Sequence, residues 1–377
     1  MATKITLGFG DFVFSSAVER ITVQTAASAV DISLHILDGT GETLVFSETY
    51  YPYSGTVALH DFASVIEAEM VLCEQPLARF RITAQSTDGT SDTRTFSVLY
   101  CDRHTDLQPY TIISQQFLTS RRIITASPDI PVPLFYVRPP MEYLDQELIA
   151  YHIITRRADT HALRIIFSPD GYTGYGKDYA LGLLAVSHAD LRAKAAKYYN
   201  GIPYEILGAT VEIGRRSITI YYSDRRPDLR LWFANMFNCP ELAELQGDTT
   251  AKTKVKRSEA VCADTLRLYD QSVEQQYEFQ ADALSIDTAR WLTQLFTSRD
   301  VRLIDRPYNE EDHLNESFPR VLITDSTSEV QDGDDELNKI KFTYRHASVR
   351  PDSRLRHSDR IHQDTFKNHF TDRKSVV

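Results

Sequence analysis

SVLYCDR at residues 97–103 and TIYYSDR at residues 219–225 decide how this chain is read, because both are one pattern: an alternating apolar run, then Tyr, a small polar residue, Asp and Arg. The context repeats with them. Upstream of each lies a pair of β-type runs closing on Asp-Gly, RITVQTAASAVDISLHILDG (20–39) and YHIITRRADTHALRIIFSPDG (151–171). Between that turn and the final strand each copy has a short apolar strand feeding a helix-like segment, TVALHDFASVIEAEM (56–70) and LGLLAVSHADLRAKAAKYY (181–199). The preserved order of elements predicts a duplicated β-module, with Asp102-Arg103 and Asp224-Arg225 at the two exits, fixing the linkers by local ion pairing. Duplicated β-modules point to scaffolding or binding more than to a single catalytic centre.

At 377 residues the chain has room for two or three domains. Apolar content of 42% and charged content of 25% describe a folded, soluble protein, and a net charge of −11 argues against sequence-independent binding to nucleic acid. The start of the chain lacks the apolar core of a signal peptide and no window reaches the length of a membrane span, so synthesis in the cytoplasm with no membrane partner is expected. Cys73, Cys101, Cys239 and Cys262 have no CxxC spacing and read as buried free thiols.

The expected fold is mainly β: two tandem β-sandwich-like modules, each with a short helix, then a β-rich α+β domain with one packed helix and an extended C-terminal arm. Module 1 spans 1–103. In it Ile32, Leu34 and Ile36 alternate as a core face, and Phe62, Val65, Ile66 and Met70 recur at helical spacing behind Asp61 as the candidate N-cap. Residues 104–226 hold a connector and module 2; within them SPDIPVPLFYVRPP (127–140) has five prolines and must be extended, as an edge or strap. Over 227–349 the pattern predicts a short helix at 228–237, strands at 252–261, 264–270 and 273–281, a helix at 285–298, and strands at 300–305, 320–325 and 339–345. The charged arm, 350–377, mixes seven Lys or Arg with four Asp and three His.

Candidate chemistry is sparse. GYTGYGKD (171–178) fits GxxxxGK but has Asp178 where a phosphate-binding loop needs Ser or Thr, so a surface loop is the better reading. The acidic run Asp332 to Glu336 lacks the glycine and glutamate placement of an EF-hand and reads as a solvated hairpin. His357 and His362 suit neither face of a helix. No cofactor, metal site or catalytic residue is predicted. Two surfaces remain as candidate contacts. Lys252, Lys254 and Lys256 would form one basic side of a strand, either a protected edge or a docking site for an acidic partner. Tyr50, Tyr51 and Tyr53 around Pro52 would either pack in the core or a hairpin, or line a sugar or protein contact.

The segments WFANMFNCPE (232–241), KVKRSEAV (254–261), SRDVRLID (298–305) and LITDSTSEVQDGDDELNKIKFTYRHA (322–347) resemble structural proteins of tailed bacteriophages and prophages. That resemblance implies a non-enzymatic tail or baseplate component, similar to a distal tail protein. Its partners would be copies of itself in a ring and other tail proteins, and its place the virion. An interface of roughly 2,000 Å² or more is then expected. The rival readings are a carbohydrate-binding module or adhesin using its tyrosines, and a glycan-active enzyme using two convergent carboxylates.

Overall fold

A computed structural model of the chain describes residues 2–37, 41–103, 108–140, 149–157, 162–166, 178–199, 201–262, 265–282, 284–308, 318–329 and 338–348. The expected C-terminal arm with His357 and His362, the acidic run Asp332 to Glu336, and Gly171 to Lys177 lie outside these residues.

Module 1 comprises β1 (Lys4–Leu7), β2 (Phe12–Phe14), β3 (Ile21–Gln24), β4 (Val30–Leu37), β5 (Glu42–Tyr50), β6 (Thr56–Leu59), α1 (Phe62–Leu72), β7 (Leu77–Ser86) and β8 (Ser91–Leu99). Two sheets result, ordered β1-β3-β6 and β2-β8-β7-β4-β5. Period-2 alternation produces the sandwich. Val30, Ile32, Leu34 and Ile36 turn inward from β4, meet Ile21, Val23, Val57 and Leu59 of the smaller sheet, and are capped by Phe62, Ile66 and Met70 of α1. Each such side chain contributes about 1.5–3 kcal/mol on burial. Asp61 stands at the N-cap of α1 as expected, but in a left-handed conformation (φ 61°) and with no side-chain capping bond.

After α2 (Pro109–Gln115), module 2 comprises β9 (Ile123–Ala126), β10 (Val132–Arg138), β11 (Ile149–Arg157), β12 (Ala162–Ile166), β13 (Ala180–Val186), α3 (His188–Tyr199), β14 (Tyr204–Ile213) and β15 (Arg216–Tyr222). Its sheets are β10-β13 and β9-β15-β14-β11-β12. The larger one repeats the order of the larger sheet in module 1 strand for strand, including one parallel pair between the last and first strands: β8 with β2, and β15 with β9. The helix falls at the same point, after β6 in one module and after β13 in the other.

The duplication is therefore visible in the topology, with two corrections. Sequence matching set β3 and β4 against β11 and β12, whereas the sheet order equates β4 with β11 and β5 with β12. The two Asp-Gly pairs follow β4 and β12, so they are not equivalent, and they lie outside the described residues. The stretch read as a connector also contains β9, a strand of the second sandwich. The proline-rich segment is extended only over β10, which among the described strands pairs with β13; its start, residues 128–130, is a turn and not the extended strap expected.

The third unit comprises β16 (Leu229–Ala234), β17 (Pro240–Leu245), β18 (Gly247–Cys262), β19 (Thr265–Ala281), α4 (Ile286–Thr297), β20 (Val301–Leu303), β21 (Arg320–Glu329) and β22 (Lys339–His346). The seven strands make one sheet in the order β17-β16-β20-β21-β22-β19-β18. Helix α4 begins as its sequence predicts, Ser285 Oγ accepting from the Thr288 N–H at 3.3 Å, and buries Ala289, Leu292 and Leu295 against this sheet. The helix expected at 228–237 is instead β16, paired with β17 and β20. Trp232 and Phe233 are both buried, one on each face, a demand that a strand satisfies and a one-faced helix does not. The strands expected at 264–270 and 273–281 are one, β19.

Strands β17 and β18 lie at opposite edges of the sheet, yet Gln246 alone separates them in sequence. The two edges must meet there, so the sheet curls onto itself with α4 filling the inside. Gly247 makes the corner possible: its φ is +154°, and a Cβ would lie 2.1 Å from the carbonyl oxygen of Gln280. A further cluster joins all three units. Phe12, Phe14, Leu99 and Cys101 of module 1 pack with Ile112, Ile113, Leu118 and Val137, and with Phe237 and Cys239 of the third unit.

Candidate assembly surface

β18 and β19 pair along their whole length, from Gly247 opposite Ala281 to Cys262 opposite Thr265. Among the described strands, the other one paired with this hairpin is β22, which pairs with β19 from Tyr277 to Gln280. From Lys252 and Gln276 outward no further described strand pairs with the hairpin, an arm of about 35 Å at about 3.4 Å per residue. Two-stranded ribbons are marginal in water unless a face is covered. Here neither face is: every residue of β18 from Asp248 to Arg257 is exposed.

The two faces differ in chemistry. Lys252, Lys254 and Lys256 share one face with their register partners Gln276, Glu274 and Ser272. The basic stripe expected from sequence is thus real in register, and β18 is an edge strand as expected. At the root, Glu278 sits between Lys252 (2.5 Å) and Lys341 (2.8 Å), and their hydrogen bonds hold its carboxyl below the usual range. Arg345 approaches Glu274 at 3.3 Å. Among the described residues, no carboxylate lies within ion-pair distance of Lys254 or Lys256. The other face carries the apolar residues, interspersed with Thr253, Gln275, Arg257 and Glu259: Val255 stands opposite Val273, and beyond the bulge at Ser258/Glu259 come Leu268 and Leu266. These are 45% (Val255), 51% (Leu268) and 67% (Leu266) exposed. Sequence reading missed this row because no single strand segment shows it; it is assembled across the pair.

The apolar face runs back to Tyr277, stacked on Tyr344 at 5.2 Å, and to a cleft of about 1050 Å³ between the third unit and module 2. Asp129, Asp224, Asp228 and Asp305 line that cleft. Two of these carboxylates have structural duties: Asp129 takes a bidentate bond from Arg230 at 2.7 and 2.8 Å, and Asp228 accepts from the Gly247 N–H at 3.1 Å. Among the described residues no three His, Cys, Asp or Glu side chains converge on a metal-sized site.

The tyrosine group is not core. Tyr51 is 79% and Tyr53 87% exposed, so neither ring packs in the core, although Tyr53 stands in a tight turn bridged to Thr56. Tyr50 is half-buried beside Phe46; burial, aided by its bond to Glu48 at 2.8 Å, pushes its phenol up to about 12. The exit residues also behave differently from expectation. Arg103 lies 3.9 Å from Asp102, a weak local contact, while Arg225 bonds Asp282 at 3.2 Å, beside the arm's corner, instead of Asp224. Cys73 is exposed, contrary to the reading of buried thiols; Cys101 and Cys239 are buried and free. The side chain of Cys262 is outside the described residues. No described helix is long and apolar enough to cross a membrane.

No family model and no curated protein matches this sequence. Among solved structures, the chain aligns with trypsin-activated alpha-2-macroglobulin from Escherichia coli at 8% identity and a TM-score of 0.18, over 86% of this chain and 25% of that one. A structure of a 1.5-MDa bacterial ice-binding adhesin aligns at 10% identity and a TM-score of 0.15, over 75% of this chain and 93% of that one. The chain spans only about a quarter of the first of these proteins, and neither likeness is close enough to carry fold or function.

Proposed function

We propose that this chain is a non-enzymatic structural subunit of a phage tail or baseplate, which assembles with copies of itself and with neighbouring tail proteins, in a ring resident in the virion. The β18–β19 arm is the observation that carries the reading. A ribbon about 35 Å long with exposed apolar residues on one face and lysines on the other gains stability only when another surface covers it. Tail assembly supplies such surfaces, and the sequence resemblance to tail proteins points the same way.

The test is the mass of the purified full chain by light scattering over a wide concentration range, with electron microscopy of any particle. A ring or other closed oligomer is expected. A variant in which an Asn-Gly turn joins Thr253 directly to Gln275, removing the outer arm, should be monomeric and folded. A wild-type chain that stays monomeric at the highest concentrations would count against the role.

A second reading has one observation in its favour. Tyr51 and Tyr53 offer exposed rings of the kind that stack on sugars, as a carbohydrate-binding module or adhesin would require. Retention on immobilised glycans, lost in a Tyr51→Ala, Tyr53→Ala variant, would support it.

A further inference from the structure

We propose that β18 of one copy adds edge to edge to β5 of a second copy. The inference rests on the hairpin being an assembly arm, and it names the surface that receives it. Both strands end their sheets, so each presents a row of unpaired N–H and C=O groups along one side. Both are long enough for extended pairing, Glu42–Tyr50 and Gly247–Cys262. β5 is largely exposed, with Leu44 at 55%.

Charge selects the pairing. Between Ala251 and Ala260, β18 carries Lys252, Lys254, Lys256 and Arg257 against Glu259 alone. β5 carries Glu42 and Glu48 and no basic residue. Pairing β18 with another β18 would crowd lysines together, and pairing β5 with another β5 would do the same for glutamates; like charges facing each other across a ladder are destabilising. Joining one to the other removes both conflicts.

The remaining edges of the described sheets are poor competitors. Strands β1, β2, β6, β9, β10, β12 and β13 contain no acidic residue. β17 has Glu241 and Glu244, but Trp291 and Asn235 hold the first and Arg230 holds the second at 2.9 Å. Glu42 and Glu48 are themselves exposed, and each is held among the described residues by a single side chain, Arg81 and the half-buried Tyr50, that solvent or a new cation can replace. Because β5 and β18 are different surfaces, the contact is head to tail, and its repetition gives a ring or a filament according to the rotation per step.

Charge reversal tests the pairing. Glu42→Lys with Glu48→Lys, and separately Lys252→Glu with Lys254→Glu and Lys256→Glu, should each weaken self-association of the full chain roughly a hundredfold. Mixing the two variants in equal amounts should restore assembly, since every junction of an alternating chain then joins opposite charges. Thermal melts establish that each variant is folded. If the β5 variant assembles like wild type while the arm-shortened protein is monomeric, β5 is not the acceptor and the arm keeps its role. If mixing restores nothing, the cross-pairing is wrong. A monomeric wild-type chain would remove both.

Discussion

Ser97 and Thr219 hold the same place in two sheets. Each opens the parallel register between the last and first strands of its module's larger sheet, Ser97 opposite Phe12 and Thr219 opposite Ile123, and each N–H bonds the residue just before that partner, Asp11 O at 2.8 Å and Arg122 O at 3.0 Å. The next residues, Val98 and Ile220, are fully buried in the two sandwich cores.

Equivalent truncations should therefore act alike. Ile220→Ala should destabilise by about 2–5 kcal/mol. Val98→Ala removes less hydrocarbon and should cost about half as much. Urea unfolding of the two variants checks this; a neutral change at either site would mean that the two strands are not equally central.

Glu241 ties the third unit together from a buried position. Its carboxylate accepts from Trp291 Nε1 and, at 2.5 Å, from Asn235 Nδ2. Arg121, whose guanidinium lies 4.0 Å from the Trp291 ring, is lowered to about 10 by burial, against the pull of Glu241 and Glu244. Glu241→Ala strands these donors and should cost about 3 kcal/mol or more. Glu241→Gln, which keeps an acceptor, should cost less. Denaturant midpoints for the pair decide it.

Asp102 gives a pH signature. Burial raises its carboxyl above the ordinary value of 3.8, opposed by Arg103 and Arg299. The folded state thus holds the proton more tightly than the unfolded state. Its favourable contribution is complete below pH 3.8 and is lost as pH climbs through the folded value. Asp102→Asn should accordingly raise the melting temperature at pH 7, with a gain that shrinks towards pH 4. The effect is small, no more than about 1 kcal/mol for a side chain this open to solvent. A lower Tm at pH 7 would reverse the sign assigned to burial.

Thiol chemistry separates the cysteines. Burial pushes Cys101 up and Cys239 well up, whereas Cys73 is exposed at the end of α1. Alkylation of the native protein, mapped by mass spectrometry, should label Cys73 at least about tenfold faster than Cys101 or Cys239. Equal rates would show that the junction cluster opens readily.

The sandwiches were legible because alternation such as Val30, Ile32, Leu34, Ile36 leaves one face for the core, and the α4 helix because Ser285 and its apolar stripe agree. β16 was misread since Leu229, Leu231, Trp232 and Phe233 suit a helical stripe as well as a strand buried on both sides. The arm was half legible. Its lysine side showed in one segment, but Asp270, Gln271 and Ser272 resemble a turn, and only pairing with Ser258, Arg257 and Lys256 reveals one continuous strand. Nothing local could show that β22 covers only its root.

The parallel pair in each sandwich also dictates an order of events during synthesis. β2 cannot take its place until β8 has been made, nor β9 until β15, because each depends on the strand that comes last in its own module. Every sandwich therefore keeps an open slot until its final strand leaves the ribosome, and SVLYCDR and TIYYSDR are the segments that close the two slots.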